Sequence, residues 1–350
     1  MSTERTVGQV IELARKWIQD TYGDRPDFVG AHLVGSLHHM PLDAPFAAYR
    51  DVDLAILLDS ITEQEIDDAF YEGLILEAIV VPASRYASAE QLLGDACNAS
   101  ILAGEHSILL DPKGKLAPLA KQVNAEYPLR KWVTARRDDM LKEVHKALTD
   151  LTQATDVQQA AMALGTLNMY LIAVLTTVHL TPLTHRRNML QLRGLISSDE
   201  EQAVFEKLHQ LLGSDAITPE AAEILLDRAT RAFDTAVPIH KTPVPYDHKL
   251  DVCVRPYLVD GTREMFAEDG YRESFFWMAL FLMISCAAIA ADGDKAVQTE
   301  FLPYAGELLQ TMGLDSPEHL KSRIQFAAAL VEEVTALSDQ IIAANPDILP

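Results

Sequence analysis

Apolar residues recur every three or four positions at Val7, Val10, Ile11, Ala14, Trp17 and Ile18, which predicts an amphipathic helix ending near Tyr22-Gly23. The pattern then shortens to strand-like apolar runs at 28–34 and 52–58. Thr62 followed three residues later by Glu65 is a capping-box spacing, so a helix is expected from there toward Tyr71, stopped by Gly73. Leu74-Ile75-Leu76-Glu77-Ala78-Ile79-Val80-Val81 reads as a third strand closed by Pro82. A short helix at 89–96, a short strand at 107–110 and the turn Asp111-Pro112-Lys113-Gly114 complete this part.

Beyond that turn the period is helical throughout, over 117–125, 129–152, 157–180, 186–196, 200–212 and 219–236. Between 237 and 258 it fails, with Pro238, Pro243, Pro245 and Pro256 in quick succession, and two or three more helices are expected from about 262 to 345. No sequence repeat with a fixed period is present. The expected class is α+β: a small mixed-sheet domain at 1–112, then an all-helical domain at 113–350 with a break at the proline-rich stretch.

Composition narrows the function classes. At 350 residues the chain can build two full cores, and 49% hydrophobic residues argue against disorder. A formal net charge of -22 disfavours nucleic acid and anionic membrane as partners and suits a cationic one. Cys97, Cys253 and Cys286 form no CxxC, so neither a zinc ribbon nor a disulfide framework is indicated and a reducing cytoplasm is the simplest location. The run from Phe275 to Ile284 falls short of the ~20 residues of a membrane span, and a buried bundle helix is expected there, its aromatic residues serving as core.

The candidate chemistry lies in the first third. Val34-Gly35-Ser36 ends the first strand, and Asp51-Val52-Asp53 opens the second. Residues i and i+2 of a strand share a face, so Asp51 and Asp53 stand side by side, a hard-oxygen pair suited to Mg²⁺. Glu77 is the one charge in an apolar strand, costly there without a partner, and beside the second strand it completes a set of three carboxylates. Two carboxylates can hold Mg²⁺ on a nucleotide triphosphate, and a third can share a metal or take a proton from an attacking hydroxyl. The Gly35-Ser36 turn can bring backbone N–H groups to a phosphate.

This order of strand, Gly-Ser, loop, Asp-x-Asp, helix and Glu-bearing strand resembles the nucleotidyltransferase superfamily with the DNA polymerase β-like fold. Within it, the layout is most similar to bacterial aminoglycoside and streptomycin adenylyltransferases, whose small catalytic domain precedes a helical one. The motifs cover about residues 25–112. The resemblance implies transfer of AMP, or another nucleoside monophosphate, from ATP or another NTP to a hydroxyl of a small molecule, with Mg²⁺ required and pyrophosphate released. It also implies a basic residue at a helix start that reaches the nucleotide; His185 or Arg186 falls about there, with Thr184 as its cap.

The loop from Ser36 to Asp51 departs from the family pattern in length and wording, and His38, His39 or Arg50 is the candidate replacement for its phosphate contact, Arg50 alone being permanently charged. Arg136-Arg137-Asp138-Asp139 reads as a solvated helical charge run. The competing functions are an adenylyltransferase acting on a protein side chain, a non-catalytic nucleotide-binding scaffold, and an unrelated helical interaction protein in which Asp51 and Asp53 are incidental. Three retained, mutually repelling carboxylates speak against the scaffold. The oligomeric state is not encoded in any of these features.

Overall fold

The computed structural model describes residues 5–350 apart from Ser36, Ala48, Ala103, Glu105 and Leu183. It is an α+β protein. Its elements run β1 (Arg5–Thr6), α1 (Val7–Tyr22), β2 (Phe28–Leu33), β3 (Pro45–Phe46), β4 (Asp51–Leu58), β5 (Glu65–Ile66), β6 (Ala69–Tyr71) and β7 (Leu74–Pro82). Then come α2 (Ala89–Leu93), α3 (Ala96–Leu102), β8 (Ile108–Leu110), α4 (Leu116–Glu126), α5 (Arg130–Gln153), α6 (Val157–Val178) and α7 (Asn188–Arg193). The chain ends with α8 (Asp199–Leu212), α9 (Pro219–Ile239), α10 (Arg255–Ala267), α11 (Phe275–Asp292), α12 (Lys295–Thr311) and α13 (Pro317–Ala344). Two compact units result, one of residues 1–139, 176–184 and 341–350, the other of 140–175 and 185–340.

The first unit is built on a mixed sheet. β4 runs parallel to β7 and antiparallel to β2, β2 pairs antiparallel with β8, and β5 and β6 both pair antiparallel with the outer edge of β7. Strand alternation sends Val52, Leu54, Ile56 and Leu58 to one face, where α1 covers them with Val10, Ile11, Ala14 and Ile18. Ala55 and Leu57 go to the other, with Leu92 and Leu93 of α2 and Leu116, Ala120 and Val123 of α4. α1 starts as a capping box, with Thr6 accepting from the Gln9 N–H and the Gln9 side chain accepting from the Thr6 N–H.

Three expectations fail here. The helix expected over 62–71 is instead the pair of short strands β5 and β6. Glu72 (φ 51°) and Gly73 (φ 80°) both take the left-handed region, as a two-residue hairpin turn with the right strand twist requires, so Gly73 reverses a strand and does not stop a helix. Arg136 and Arg137 are buried, not solvated. Arg136 is wholly inaccessible; it donates to the carbonyls of Leu93 and Tyr127, which end α2 and α4, and stacks 4.0 Å from the Tyr127 ring centroid. Two helix C-termini offer the negative potential that a surface would otherwise supply through water. Finally, Thr184 is not the N-cap of α7, which begins at Asn188 with Arg187 in the cap position.

In the second unit α11 packs against α9 and α12, and α10 against α9 and α11. α6 and α11 have the length and apolarity of membrane spans, yet most of each such window lies buried within the protein. For α11 that is the expected core helix, with Phe275, Met278, Phe281 and Leu282 inaccessible. The proline-rich stretch is shorter than its composition suggests: α9 continues through Pro238, and α10 takes Pro256 into its first turn, where the missing N–H costs nothing.

Candidate metal and phosphate site

Register brings the acids together. In the parallel β4–β7 ladder Asp51 stands opposite Ile75 and Asp53 opposite Glu77. Directly opposed residues share a face, so Asp51, Asp53 and Glu77 emerge on the side of the sheet that also carries Ala55 and Ile79. One carboxylate oxygen from each of Asp51, Asp53 and Glu77 lies within 4.8 Å of the other two, and all three residues are half-buried. Like charges at that spacing repel by about 3 kcal/mol per pair at an effective dielectric of about 20. Three hard oxygens on three short side chains fit a Mg²⁺-type cation, which would turn that repulsion into attraction. Glu77 is not an edge residue facing water, since β7 is flanked by β4 on one side and by β5 and β6 on the other.

The backbone beside the acids is equally constrained. The Val34 N–H donates to the Asp53 carbonyl at 2.8 Å, and the chain then turns at Gly35 with φ 71°. A Cβ at Gly35 would stand 2.3 Å from Asp53 Oδ2, so both the dihedral and the carboxylate demand a bare Cα. Ser36, the other residue of the expected phosphate-binding turn, lies outside the described residues. The loop that follows forms a 3-10 turn, Leu37–His39, and then β3, which pairs with β1.

Of the three candidate phosphate contacts in this loop, His38 is buried, its imidazole seated against Gly104 where a Cβ would come within 2.1 Å of Cδ2. His39 is exposed and stacks on it with ring centroids 3.8 Å apart. Arg50 is half-buried immediately before Asp51, with Nη1 3.3 Å from the Met40 sulfur. His185 and Arg186 belong to the second unit. There the Arg186 guanidinium lies against Gly261, 4.3 Å from the Tyr257 ring centroid, donates to the Tyr257 carbonyl at 3.3 Å and faces Glu264 at 3.7 Å.

The same face carries a residue that the expected helix over 62–71 conceals. Phe70 of β6 opposes Ile75, and Ile75 opposes Asp51, so the three form one row across the sheet. The aromatic pair Phe70-Tyr71 before Glu72-Gly73, with the apolar run of β7 directly after it, is the hairpin signal that could have revealed it.

No family model matches this chain, and no curated protein matches it. Among solved structures, a nucleotidyltransferase-like protein from Exiguobacterium sibiricum 255-15 aligns over 87% of this chain and 92% of its own, with 12% identity and a TM-score of 0.33. A likeness of this degree assigns no chemistry; the carboxylates have to do so.

Proposed function

We propose that the protein is a metal-dependent nucleotidyltransferase that moves a nucleoside monophosphate, AMP foremost, from an NTP to a hydroxyl of a small molecule. The observation that carries this reading is the convergence of Asp51, Asp53 and Glu77 from two adjacent parallel strands beside a turn that only glycine fits. Asp51 and Asp53 would hold the cation, with Glu77 as a further ligand or as the base. When bound, Mg²⁺ would neutralise triphosphate charge and stabilise the charge that develops in transfer.

The protein's own groups do the rest. Backbone N–H groups at the Gly35 turn and the guanidinium of Arg50 supply positive potential for phosphate oxygens. The acceptor oxygen forms a bond to the α-phosphorus as the bond from that phosphorus to the bridging oxygen of the β-phosphate breaks. Pyrophosphate leaves, and the hydroxyl proton passes to the Glu77 carboxylate when that group serves as base. Association of a cationic acceptor is favoured by the chain's net charge of -22.

The test is calorimetric titration of ATP with Mg²⁺ into the wild type and Asp53→Ala, repeated with GTP and CTP. Metal-dependent binding by the wild type that disappears in the variant supports the assignment. Folded wild type that binds none of the three nucleotides overturns it.

A further inference from the structure

The acid-bearing face of the sheet is closed at one end and open at the other. Toward Ala55, Leu57 and Val81 it is roofed by α2 and α4. Toward Asp51 and Ile75 it runs out to Phe70, which is 65% exposed while its neighbours Ala69 and Tyr71 pack into the core on the opposite face. The Phe70 ring is accessible from solvent on the acid-bearing face. The segment it belongs to is rich in acid: from Asp51 to Ser84 the sequence holds nine Asp and Glu and no Lys, Arg or His, while Arg5 reaches the hairpin turn at Gly73 and Lys113 pairs with Asp59. Phe70 and Glu77 are diagonal neighbours across β6 and β7, roughly 8 Å apart.

From this geometry we infer that Phe70 and Ile75 are the platform on which the acceptor lies, and that the acceptor is a cationic molecule with a flat apolar or aromatic body whose hydroxyl reaches Glu77. The inference rests on the nucleotidyl-transfer reading for its direction. With phosphates against the Gly35 turn on the β2 side of the acids, the attacking hydroxyl approaches from the β7 side, which is the side of Phe70. A ring on Phe70 gains stacking, a positive charge gains the field of the acidic hairpin, and the roughly 8 Å between platform and base matches a single-ring molecule with a short arm. A purely polar polyol gains neither ring contact nor apolar burial.

The experiment compares three probes by saturation-transfer NMR titration: tyramine, which has ring, hydroxyl and charge; 4-hydroxyphenethyl alcohol, which lacks the charge; and ethanolamine, which lacks the ring. Wild type should bind tyramine about tenfold more tightly than ethanolamine, with the uncharged phenol between. Phe70→Ser should erase that advantage, and its exposed position leaves folding intact. Ile66→Ser is the control: Ile66 is equally exposed on the same hairpin but stands opposite Ile79, beside the roofed end, and should leave all three affinities unchanged. No tyramine binding, equal affinity for ethanolamine, or an unaltered Phe70→Ser overturns the inference. ATP titration with Mg²⁺ on the same proteins separates the two readings. Phe70→Ser should bind ATP like the wild type. Ring-dependent tyramine binding without any ATP binding keeps the platform and removes nucleotidyl transfer, and ATP binding without ring dependence does the reverse.

Discussion

The two compact units differ in one use of charge. In the second unit acids and bases are paired across helices: Arg255 with Asp234, Arg228 with Glu307, Arg272 with Glu206, Arg193 with Glu273, and Arg187 with Glu268. In the first, ion pairs occur as well, Asp59 with Lys113 and Asp27 with Arg25, but three further acids, Asp51, Asp53 and Glu77, converge on one another. Pairing of the first kind fastens helices together. Carboxylates that converge repel one another, and a cation held between them would reverse the sign of that interaction, so the cluster is suited to a ligand.

The contrast is broken most directly at Asp53. Asp53→Asn removes a charge and little else, so turnover should fall by on the order of a thousandfold. The same change relieves repulsion among the acids, so the metal-free variant should melt a few degrees above the wild type. Activity and thermal melting measured on one preparation check both signs. A variant that loses activity and also melts lower would mean that Asp53 fastens structure, as the acids of the second unit do.

Next in size is Gly35→Ala. The added methyl meets Asp53 Oδ2 at 2.3 Å and has to sit at φ 71°, so either the turn or the carboxylate shifts. A displacement near 1 Å at a catalytic group costs about a hundredfold in rate, whereas the αL strain costs only about 1 kcal/mol of stability. Kinetics on a variant whose circular dichroism matches the wild type would separate the two effects.

How far this contrast could be read without coordinates depends on how local its signals are. β2, β4 and β7 were legible because each is an apolar run with turn residues at its ends, and Glu77 stood out because it interrupts one of them. The helix over 62–71 was misread because a Thr-x-x-Glu spacing is local chemistry, while the strand it occupies exists only through pairing with β7. Arg136 was misread for the converse reason. Its partners, the carbonyls of Leu93 and Tyr127, lie at helix ends that no side-chain pattern announces. Phe70 required both the hairpin and its register before its place beside the acids could be seen.

Histidine supplies a pH-dependent form of the comparison, because each unit contains a buried histidine whose pKa burial lowers. In β2, His32 is fully enclosed; its Nδ1–H donates to the Leu33 carbonyl at 2.9 Å, and its Nε2 accepts from the Tyr86 hydroxyl at 2.7 Å. Burial lowers its pKa to about 4, and burial with the nearby Arg272 and Arg193 lowers that of His209 in α8 to about 3. A histidine held neutral in the fold binds a proton more readily when unfolded, so its contribution is complete above the ordinary value of 6.5 and is lost as pH falls from there toward 4. For His32 the loss is on the order of 3 kcal/mol across that window. Denaturant titrations at pH 7, 5.5 and 4.5 should show it, and His32→Asn should flatten the dependence of the first unit while leaving that of the second.

The smallest expected effect tests the other half of the contrast. Arg255 and Asp234 meet through two parallel N–H to oxygen contacts of 2.6 and 2.9 Å, a geometry as good as a surface pair achieves. Both side chains are 43% exposed, so water and salt screen the attraction, and Asp234→Asn should cost at most about 1 kcal/mol. That cost should shrink further at 0.5 M salt, where the screening length is only about 4–5 Å. Activity should not change at all, since the pair fastens the start of α10 to α9 and holds no ligand. Set beside Asp53→Asn, the same chemical change then gives opposite outcomes: a small loss of stability with full activity in one unit, and a gain of stability with almost no activity in the other. If Asp234→Asn instead lowered turnover, the second unit's charges would have to be counted as part of the chemistry, and the division between fastening charge and ligand-holding charge would fall.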